Sequence, residues 1–319
     1  MYKIIQKRNI WLSLSGVAIA ISIGALAVWG LKFGLDFTGG ALLEVKYDKE
    51  RPAVTDVQTA LKDLQLGGLV VQTINEKGMI MRFQDVSEEK HQAIKDKLNT
   101  LSSAKAESVK VASSTKAVAV KVKETASPVF EELRYDSVGP TVGADLKSKS
   151  INAIIVVLIA IVLYIAWAFR FVSKPVESWK YGIAAVIALF HDVIIALGAF
   201  AILGKFYGIE VDSSSVAAIL TVLGYSVNDT IVVFDRLREN LPRGHGDFED
   251  TVNISLNQTM IRSMNTSMTV ILVLLAIVFF GGASIKGFAA VLAIGVFAGT
   301  YSSIFVASPI LVIWEKFRK

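Results

Sequence analysis

The sequence contains a stretch of nineteen residues with no charged side chain, INAIIVVLIAIVLYIAWAF at residues 151–169. A helix needs about 20 mostly apolar residues to cross the hydrocarbon core of a bilayer, because each helical residue adds only about 1.5 Å. The stretch therefore predicts a transmembrane helix. The fold class then depends on how many similar stretches the chain holds.

Five further segments have the length and apolar character of a membrane span. The six predicted transmembrane helices cover about residues 10–31, 151–170, 181–204, 214–235, 264–281 and 287–314. The first follows a short basic start, as in a signal peptide, but its apolar run is too long and no Ala-x-Ala site follows. We interpret it as an uncleaved helix, with short ends at residues 1–9 and 315–319.

The composition agrees with a membrane protein. Of 319 residues, 53% are hydrophobic and 19% are charged, whereas a soluble domain carries about 25% charged residues. Its basic residues flank the apolar runs, which fits membrane topology rather than nucleic-acid binding. The chain has no cysteine, so disulfides and thiolate metal sites are excluded, and its three histidines lie far apart in sequence. No phosphate-binding or hydrolase motif occurs, so we expect no cofactor and no direct use of ATP.

Basic residues in the connections predict the orientation of the chain. Lys and Arg accumulate in the N-terminus, in the connections at 170–180 and 236–262, and in the C-terminus, whereas 204–215 and 281–286 carry only Lys205 and Lys286. Because basic connections stay on the cytoplasmic side, we expect both termini in the cytoplasm and residues 32–148 outside it.

Residues 32–148 show the patterns of a small α+β domain. Alternation or helical spacing predicts, in chain order, a strand at Leu42–Tyr47, a helix at Val54–Leu66, strands at Val70–Ile74 and Met79–Phe83, a helix at Glu88–Leu101 and a strand at Val129–Tyr135. This order is typical of a ferredoxin-like αβ sandwich. Residues 102–127, rich in Ala, Ser, Lys and Val, are interpreted as a linker, with an edge strand at Ala117–Lys123 as the alternative.

The fourth predicted helix contains a carboxylate, Asp229, within GYSVNDTIVVFDR at residues 224–236. An ionised side chain at the bilayer centre costs about 2.5–3.5 kcal/mol, so it needs a partner, water or a proton. Ser226, Asn228 and Thr230 place hydrogen-bonding groups around Asp229, and Arg236 follows at helical spacing. We predict a role for Asp229 in proton or ion transfer. The alternative is a polar cluster that only packs helices.

Other polar residues lie in or near the predicted helices. His191 and Asp192, in the middle of the third, either support a relay or pack helices as a hydrogen-bonded pair. Asp235, like Arg236, fits an interfacial charge belt at the end of the fourth. Arg262 precedes the fifth and either extends to the interface or reaches the Asp229 carboxylate as its counter-charge.

Six segments resemble motifs of the SecF family, membrane subunits of the bacterial protein-export machinery within the RND (resistance–nodulation–division) superfamily. They are Gly34-Leu-Asp36-Phe-Thr-Gly39-Gly40, Val138-Gly139-Pro140, His191-Asp-Val193, Gly224–Asn240, Asn253–Ser267 and Tyr301-Ser-Ser303. The similarity extends from the first predicted helix to the last.

The resemblance implies a function in protein export across the bacterial inner membrane. It implies that the chain pairs with SecD and assists the SecYEG channel after the SecA ATPase has begun export. The proton or sodium motive force would then drive late translocation of the preprotein. The family's functional membrane aspartate falls on Asp229 and its fifth-helix arginine on Arg262.

Three other functions are compatible with parts of the pattern. A small-molecule exporter of the RND type would normally carry far larger external domains. A passive membrane subunit would use its buried polar groups for packing alone. An intramembrane aspartyl protease would use Asp192 and Asp229, but neither lies in a glycine-rich catalytic motif.

Overall fold

We describe the protein from a computed structural model over residues 2–111, 130–170, 177–243 and 246–317. Its elements are, in chain order, α1 (Arg8–Trp29), α2 (Leu35–Thr38), β1 (Gly40–Tyr47), α3 (Val54–Leu61), β2 (Val70–Ile74), β3 (Gly78–Phe83), α4 (Glu88–Val111), β4 (Phe130–Val138), α5 (Pro140–Ala168), α6 (Ser178–Tyr207), α7 (Ser213–Asn240), α8 (Phe248–Phe280), α9 (Ala283–Ser302) and α10 (Ser308–Lys316). They form two compact units, Leu35–Lys147 and the remainder of the chain.

The larger unit holds six helical stretches that are long and apolar enough to cross a membrane. They are Ile5–Trp29, Pro140–Ala168, Trp179–Tyr207, Ser213–Arg243, Phe248–Phe280 and Ile285–Lys316. The prediction of six transmembrane helices with a small α+β domain is confirmed. The sixth stretch is the most buried, and its first helix, α9, packs against α6, α7 and α8.

The sixth span is not one regular helix. A five-residue π-helical turn, Ser303–Ala307, separates α9 from α10, and Pro309 follows at the start of α10. Proline has no N–H group and interrupts the i→i−4 hydrogen bonds of a helix, which accounts for an irregularity at this point. We therefore describe the span as α9, the π-turn and α10.

Two helices begin at aspartate caps. Asp212 accepts a hydrogen bond from the Ser215 amide at 2.8 Å, and the Ser215 hydroxyl bonds back to the Asp212 amide, which forms a capping box before α7. Asp247 accepts from the Asp250 amide at 2.9 Å and starts α8. The polar stretch Asn253–Ser267, which precedes the predicted fifth span, is thus itself helical.

The smaller unit is a four-stranded antiparallel sheet in the order β2-β3-β1-β4, with the helices α3 and α4. Its core is built from alternate residues of the strands and one stripe of each helix. Fully buried members include Leu43, Val45, Met79, Met81, Val57, Leu61, Ile94 and Leu98. This strand order and the two helices correspond to the predicted ferredoxin-like arrangement.

Helix α4 extends further than the sequence pattern indicated. It continues to Val111, so residues 102–111 of the predicted linker are helical. The physical reason is that Ala, Lys and Glu all have high helix propensity, so a segment without an apolar stripe still continues the helix. Residues 112–127 of that linker, the alternative strand at 117–123 and His245 lie outside the described residues.

The glycine pair Gly39-Gly40 lies between α2 and β1. Both residues have positive φ, 69° and 115°, a backbone conformation that favours glycine. A Cβ atom on Gly40 would lie 2.7 Å from the Phe83 carbonyl oxygen, and one on Gly39 would lie 2.9 Å from Pro140 Cα. Side chains at either position would therefore push apart the start of β1 and its neighbours. Asp36 lies in α2, Gly139 connects β4 to α5, and Pro140 is the first residue of α5.

Candidate functional site: two buried carboxylates in the membrane unit

The candidate site lies where α6, α7 and the end of α9 meet. Two glycines allow α9 to approach α7 closely, because a Cβ on Gly295 would lie 2.2 Å from Val222 and one on Gly299 would lie 2.9 Å from Ser226. Small residues commonly allow such close approach between membrane helices. Because the two glycines have no side chains, the polar groups of the three helices come close together.

Asp192, on α6, is completely buried and fully hydrogen-bonded. Its Oδ2 accepts from the hydroxyls of Ser226 on α7, at 2.5 Å, and Ser302 on α9, at 2.8 Å. Its Oδ1 lies 2.9 Å from His191 Nδ1. One carboxylate thus joins three spans, which agrees with the rule that buried polar groups in a membrane find partners inside the protein.

His191 is also buried, and its ring has one free nitrogen. Nε2 has no hydrogen-bond partner within the described parts of the chain, while Nδ1 faces Asp192. The imidazole stacks on the Tyr301 ring, with centroids 6.2 Å apart and planes 17° from parallel. Tyr301 in turn donates from its hydroxyl to the Trp11 carbonyl at 2.8 Å. His191 therefore orients Asp192 and lies at the junction with α1.

Asp229, on α7, has a different environment from Asp192. It is 6% exposed, and its Oδ2 has no hydrogen-bond partner among the described residues. Ser263 on α8 and Ser303 in the π-turn lie near its carboxyl group, but the buried Ser263 hydroxyl has no hydrogen-bond partner among the described residues. Thr230, the next residue, bonds Ser303 at 2.9 Å. Asp229 is thus buried without the full set of partners that Asp192 has.

A polar seam follows the contact between α7 and α8. Tyr225 donates to the Ser267 hydroxyl at 2.9 Å, and Ser267 bonds Thr300 of α9. Nearer the end of α7, Asn240 donates to Ser255 at 2.9 Å and to Gln258 at 2.8 Å. Interhelical hydrogen bonds of this kind hold membrane helices together.

Arg236 and Asp235 lie at the end of this seam, away from the two carboxylates. Arg236 Nε donates to Gln258 at 2.7 Å, and its Nη1 lies 2.6 Å from Glu239. Asp235 lies 3.4 Å from Arg238. Both residues are partly exposed, so they belong to the charged end of α7.

Asn228 and Arg262 lie on exposed faces of α7 and α8. Each directly precedes a buried site residue, Asp229 or Ser263. The two residues of each pair differ in burial because adjacent residues on a helix point about 100° apart. No ion pair links Arg262 to Asp229 within the described parts of this chain. The counter-charge contact is therefore not made in this chain by itself.

Three residues that the sequence placed with the two aspartates meet them in the structure, namely Ser226, Thr230 and His191. Three others at the site, Ser263, Ser302 and Ser303, were not singled out. A signal was available, because Tyr301-Ser-Ser303 and Asn253–Ser267 are among the segments that carry the family resemblance. Serine is small and common in membrane helices, so its type alone did not indicate a site.

The cluster brings titratable and hydroxyl groups together in a low-dielectric interior. Carboxyl, imidazole and hydroxyl groups can exchange a proton or bind a desolvated cation there. Within the described ranges, no group of three or more His, Asp or Glu residues could hold a metal ion. The side chains present allow a carboxyl group of the cluster to gain or lose charge.

Two family models match the chain. The model described as "Protein export membrane protein SecD/SecF, C-terminal" matches residues 117–317, and the model of the SecD/SecF GG motif matches residues 24–50. The second match contains Gly39 and Gly40, and the first contains every residue of the carboxylate cluster.

The chain is similar to curated proteins over nearly its whole length. It is 42% identical to the protein translocase subunit SecF of Thermobaculum terrenum and 36% identical to that of Anaerolinea thermophila. Each match covers 99% of this chain and 94% of the relative.

Solved structures of SecDF share the fold. The crystal structure of SecDF, a translocon-associated membrane protein from Thermus thermophilus, matches with a TM-score of 0.73 and 28% identity over 99% of this chain. A super-membrane-facing form of SecDF matches with a TM-score of 0.64. This chain spans 39% of the length of each SecDF chain.

Proposed function

The chain belongs to the SecD/SecF family of protein-export membrane proteins, as a protein translocase subunit of the SecF type, and we propose from that premise how it drives export. It pairs with a separate SecD chain in the bacterial inner membrane, with both termini in the cytoplasm. The pair uses the proton or sodium motive force to support late translocation of preproteins through SecYEG, after SecA has acted.

The observation that carries this proposal is the state of Asp229. A carboxylate that is 6% exposed on a membrane span, with one oxygen unpartnered among the described residues, pays a solvation penalty whenever it is ionised. Binding a proton or a cation removes that penalty. Asp229 is therefore the group in the bundle whose charge state an ion gradient can change.

The exposed polar residues of α7 and α8 support a partner in the membrane. Thr221 and Asn228 lie on the exposed side of α7, and Arg262, Asn265 and Thr269 lie on that of α8. Arg262 directly precedes the apolar part of α8, residues 264–280, where its charge needs the interface or a partner. A second bundle of helices, that of SecD, is the proposed cover for this polar face.

The energy available from the gradient is sufficient to bias a conformational change. One elementary charge that crosses 100 mV releases about 2.3 kcal/mol, which changes the ratio of two states about 50-fold. We propose that neutral and ionised Asp229 favour different packings of the SecF and SecD bundles. Arg262, on the face that SecD covers, is the proposed counter-charge for the ionised form.

The test is Asp229→Asn in a strain that lacks the native copy. Asparagine has nearly the same shape but cannot change charge, so the complex with SecD should assemble while gradient-dependent export fails. Export of a labelled preprotein is measured with and without the ion gradient, and co-purification of SecD reports assembly.

Asp250→Asn is the matched control, because Asp250 is an exposed aspartate in the first turn of α8. It should export as the parent does. If Asp229→Asn supports full, gradient-sensitive export, the proposed role is wrong and a passive packing role is favoured instead. Replacing protons by sodium in the gradient identifies the coupling ion.

A further inference from the structure

A groove runs along one side of α8, between that helix and the sixth span. Its volume is about 220 Å³, and its walls are almost entirely apolar. The side chains that line it include Met260, Met264 and Met268 of α8 and Phe297, Tyr301 and Phe305 of the sixth span. This volume is below the roughly 300–1,000 Å³ of most small-molecule pockets, and methionine side chains adapt to an irregular surface. The groove therefore suits a slender, flexible hydrocarbon chain.

The hydroxyl groups that line the groove already have partners within the protein. Ser267 and Thr300 bond each other, and Tyr301 donates to the Trp11 carbonyl at 2.8 Å. These three residues carry the hydroxyl groups of the groove. A ligand in the groove is therefore held by apolar contact rather than by hydrogen bonds.

The groove opens on the outer surface of the helical bundle. Met264, Met268 and Phe297, which line it, are each more than half exposed. Met264 and Met268 also belong to residues 264–280, the apolar part of α8. The opening of the groove thus lies at the depth of the hydrocarbon core, where lipid tails are the surrounding solvent.

The polar face of α8 lies on another side of the helix from the groove. Arg262 follows Met260 by two residues, which is about 200° around a helix, and Thr269 follows Met268 by about 100°. SecD is proposed to cover the polar face, and a chain that contacts that face leaves the groove uncovered. Lipid is then the neighbour of the groove.

The N-terminal segment of the chain packs at one end of the groove. The Tyr2 amide donates to Asn257 Oδ1 at 2.7 Å, and Asn257 lies one helical turn before Met260. The segment carries Lys3 and Lys7, which are both exposed and form no ion pair with any described residue. Two positive charges thus lie near the end of an apolar groove.

The position of these lysines along the bundle corresponds to the level of lipid headgroups. Lys7 directly precedes α1, whose apolar run begins at Ile10, and basic residues at that point lie at the membrane interface. Glu249, at the same end of the bundle, is already paired with Arg8 at 3.1 Å and with Lys316 at 2.5 Å. An anionic headgroup therefore complements the charge of Lys3 and Lys7.

We propose that the groove binds an acyl chain of an anionic phospholipid whose phosphate group contacts Lys3 and Lys7. Apolar contact with α8 and the sixth span holds the tail, and the two lysines select the headgroup. The inference does not depend on ion coupling at Asp229, because none of the groups that bind the lipid contacts that carboxylate.

The experiment uses phospholipids that carry a photoactivatable diazirine in one acyl chain. The full chain with its SecD partner is placed in bilayers of phosphatidylcholine and phosphatidylglycerol, and a trace of one lipid or the other carries the diazirine. Mass spectrometry then locates the adducts. The phosphatidylglycerol probe should label Met264 and Met268 more than the phosphatidylcholine probe does. Both probes should label Ile159, an exposed apolar residue of α5, equally.

Charge removal tests the selection of the headgroup. The double variant Lys3→Gln, Lys7→Gln should reduce labelling of the groove by the phosphatidylglycerol probe by about 5- to 30-fold, because two charges that attract the headgroup are lost. Lys205→Gln is the matched control, since Lys205 is an exposed lysine in the last turn of α6. It should label as the parent does.

A bulkier side chain tests the binding of the tail. Met268→Trp should fill the groove and remove its adducts with both probes. Leu272→Trp is the control, because Leu272 is an exposed residue of the same helix that does not line the groove. It should leave the adducts at Met264 in place.

Equal labelling of the groove by the two probes overturns the inference, since the groove would then contact bulk lipid without selection. Unchanged labelling in Met268→Trp overturns it as well. A groove without adducts also contradicts it and favours a helix of SecD as the occupant. These results are separable from failure of the proposed function, because Asp229→Asn should label as the parent does whether or not it supports export.

Discussion

Two glycines of α9 set how closely the sixth span approaches α7. Gly295→Ala should destabilise the bundle by about 1–3 kcal/mol, because the added Cβ would lie 2.2 Å from Val222 in a packed interior. Gly24→Ala in α1 is the control, since nothing lies within 4 Å of its Cβ and alanine favours the helix by about 1 kcal/mol. Thermal unfolding in detergent measures both. A parent-like melting temperature for Gly295→Ala would mean that α7 and α9 can move apart without loss of stability.

The sequence of the chain predicted that Asp229 is a candidate functional residue, but it did not predict which side chains surround Asp229. An ionised carboxylate in an apolar segment costs free energy on whichever face of the helix it lies, so its importance can be recognised from the sequence alone. Which neighbours face inward depends on how the helices pack. Asn228 was grouped with Asp229 as its neighbour in sequence and Arg236 by helical spacing, whereas the structure places Asn228 on the exposed face and Arg236 against Gln258.

Helix α8 is held at its start by the N-terminus of the chain. Asn253 accepts from the amides of Ile4, at 2.9 Å, and Ile5, at 3.3 Å, and donates to the Tyr2 carbonyl at 3.0 Å. Glu249 lies 3.1 Å from Arg8 and 2.5 Å from Lys316. The first, fifth and sixth spans are thus connected at one end of the bundle.

Asn253→Ala should release the N-terminal segment, because three hydrogen bonds are lost and buried amides are left unpaired. A loss of about 1–2 kcal/mol corresponds to cleavage by trypsin at Lys3 and Lys7 that is about 5–30 times faster. Asn152→Ala, at an exposed position of α5, is the control and should leave the rate unchanged. Equal cleavage rates in the two variants would show that the asparagine contacts do not restrain the segment.

The apolar run of each span predicted that the span exists. Where each helix begins and ends depends on contacts that the hydrophobic pattern does not reveal. Helix α8 starts at Phe248, well before the predicted residue 264, because Asp247 caps it and Asn253 binds a segment some 250 residues earlier in the chain. The π-turn was likewise not predicted. Pro309 alone could not have indicated it, because proline also occurs in the ordinary first turn of a helix.

The polar face on α7 and α8 predicts where a second chain contacts this one. The sequence has no cysteine, so a single introduced thiol carries a cross-linker to one known position. A probe on Thr269→Cys, on the exposed polar side of α8, should cross-link to SecD in membranes. A probe on Val156→Cys, an exposed apolar position of α5, should react with lipid instead. Cross-linking to SecD from position 156, together with cross-linking only to lipid from position 269, would contradict the predicted contact face.

The two ends of the small α+β unit lie side by side in its sheet. Gly40, at the start of β1, pairs with Val138, at the end of β4, and these strands are antiparallel neighbours. The chain therefore enters and leaves this unit at adjacent points of one sheet. The sheet is complete only when β4, the last strand that the chain supplies, has paired with β1, the first.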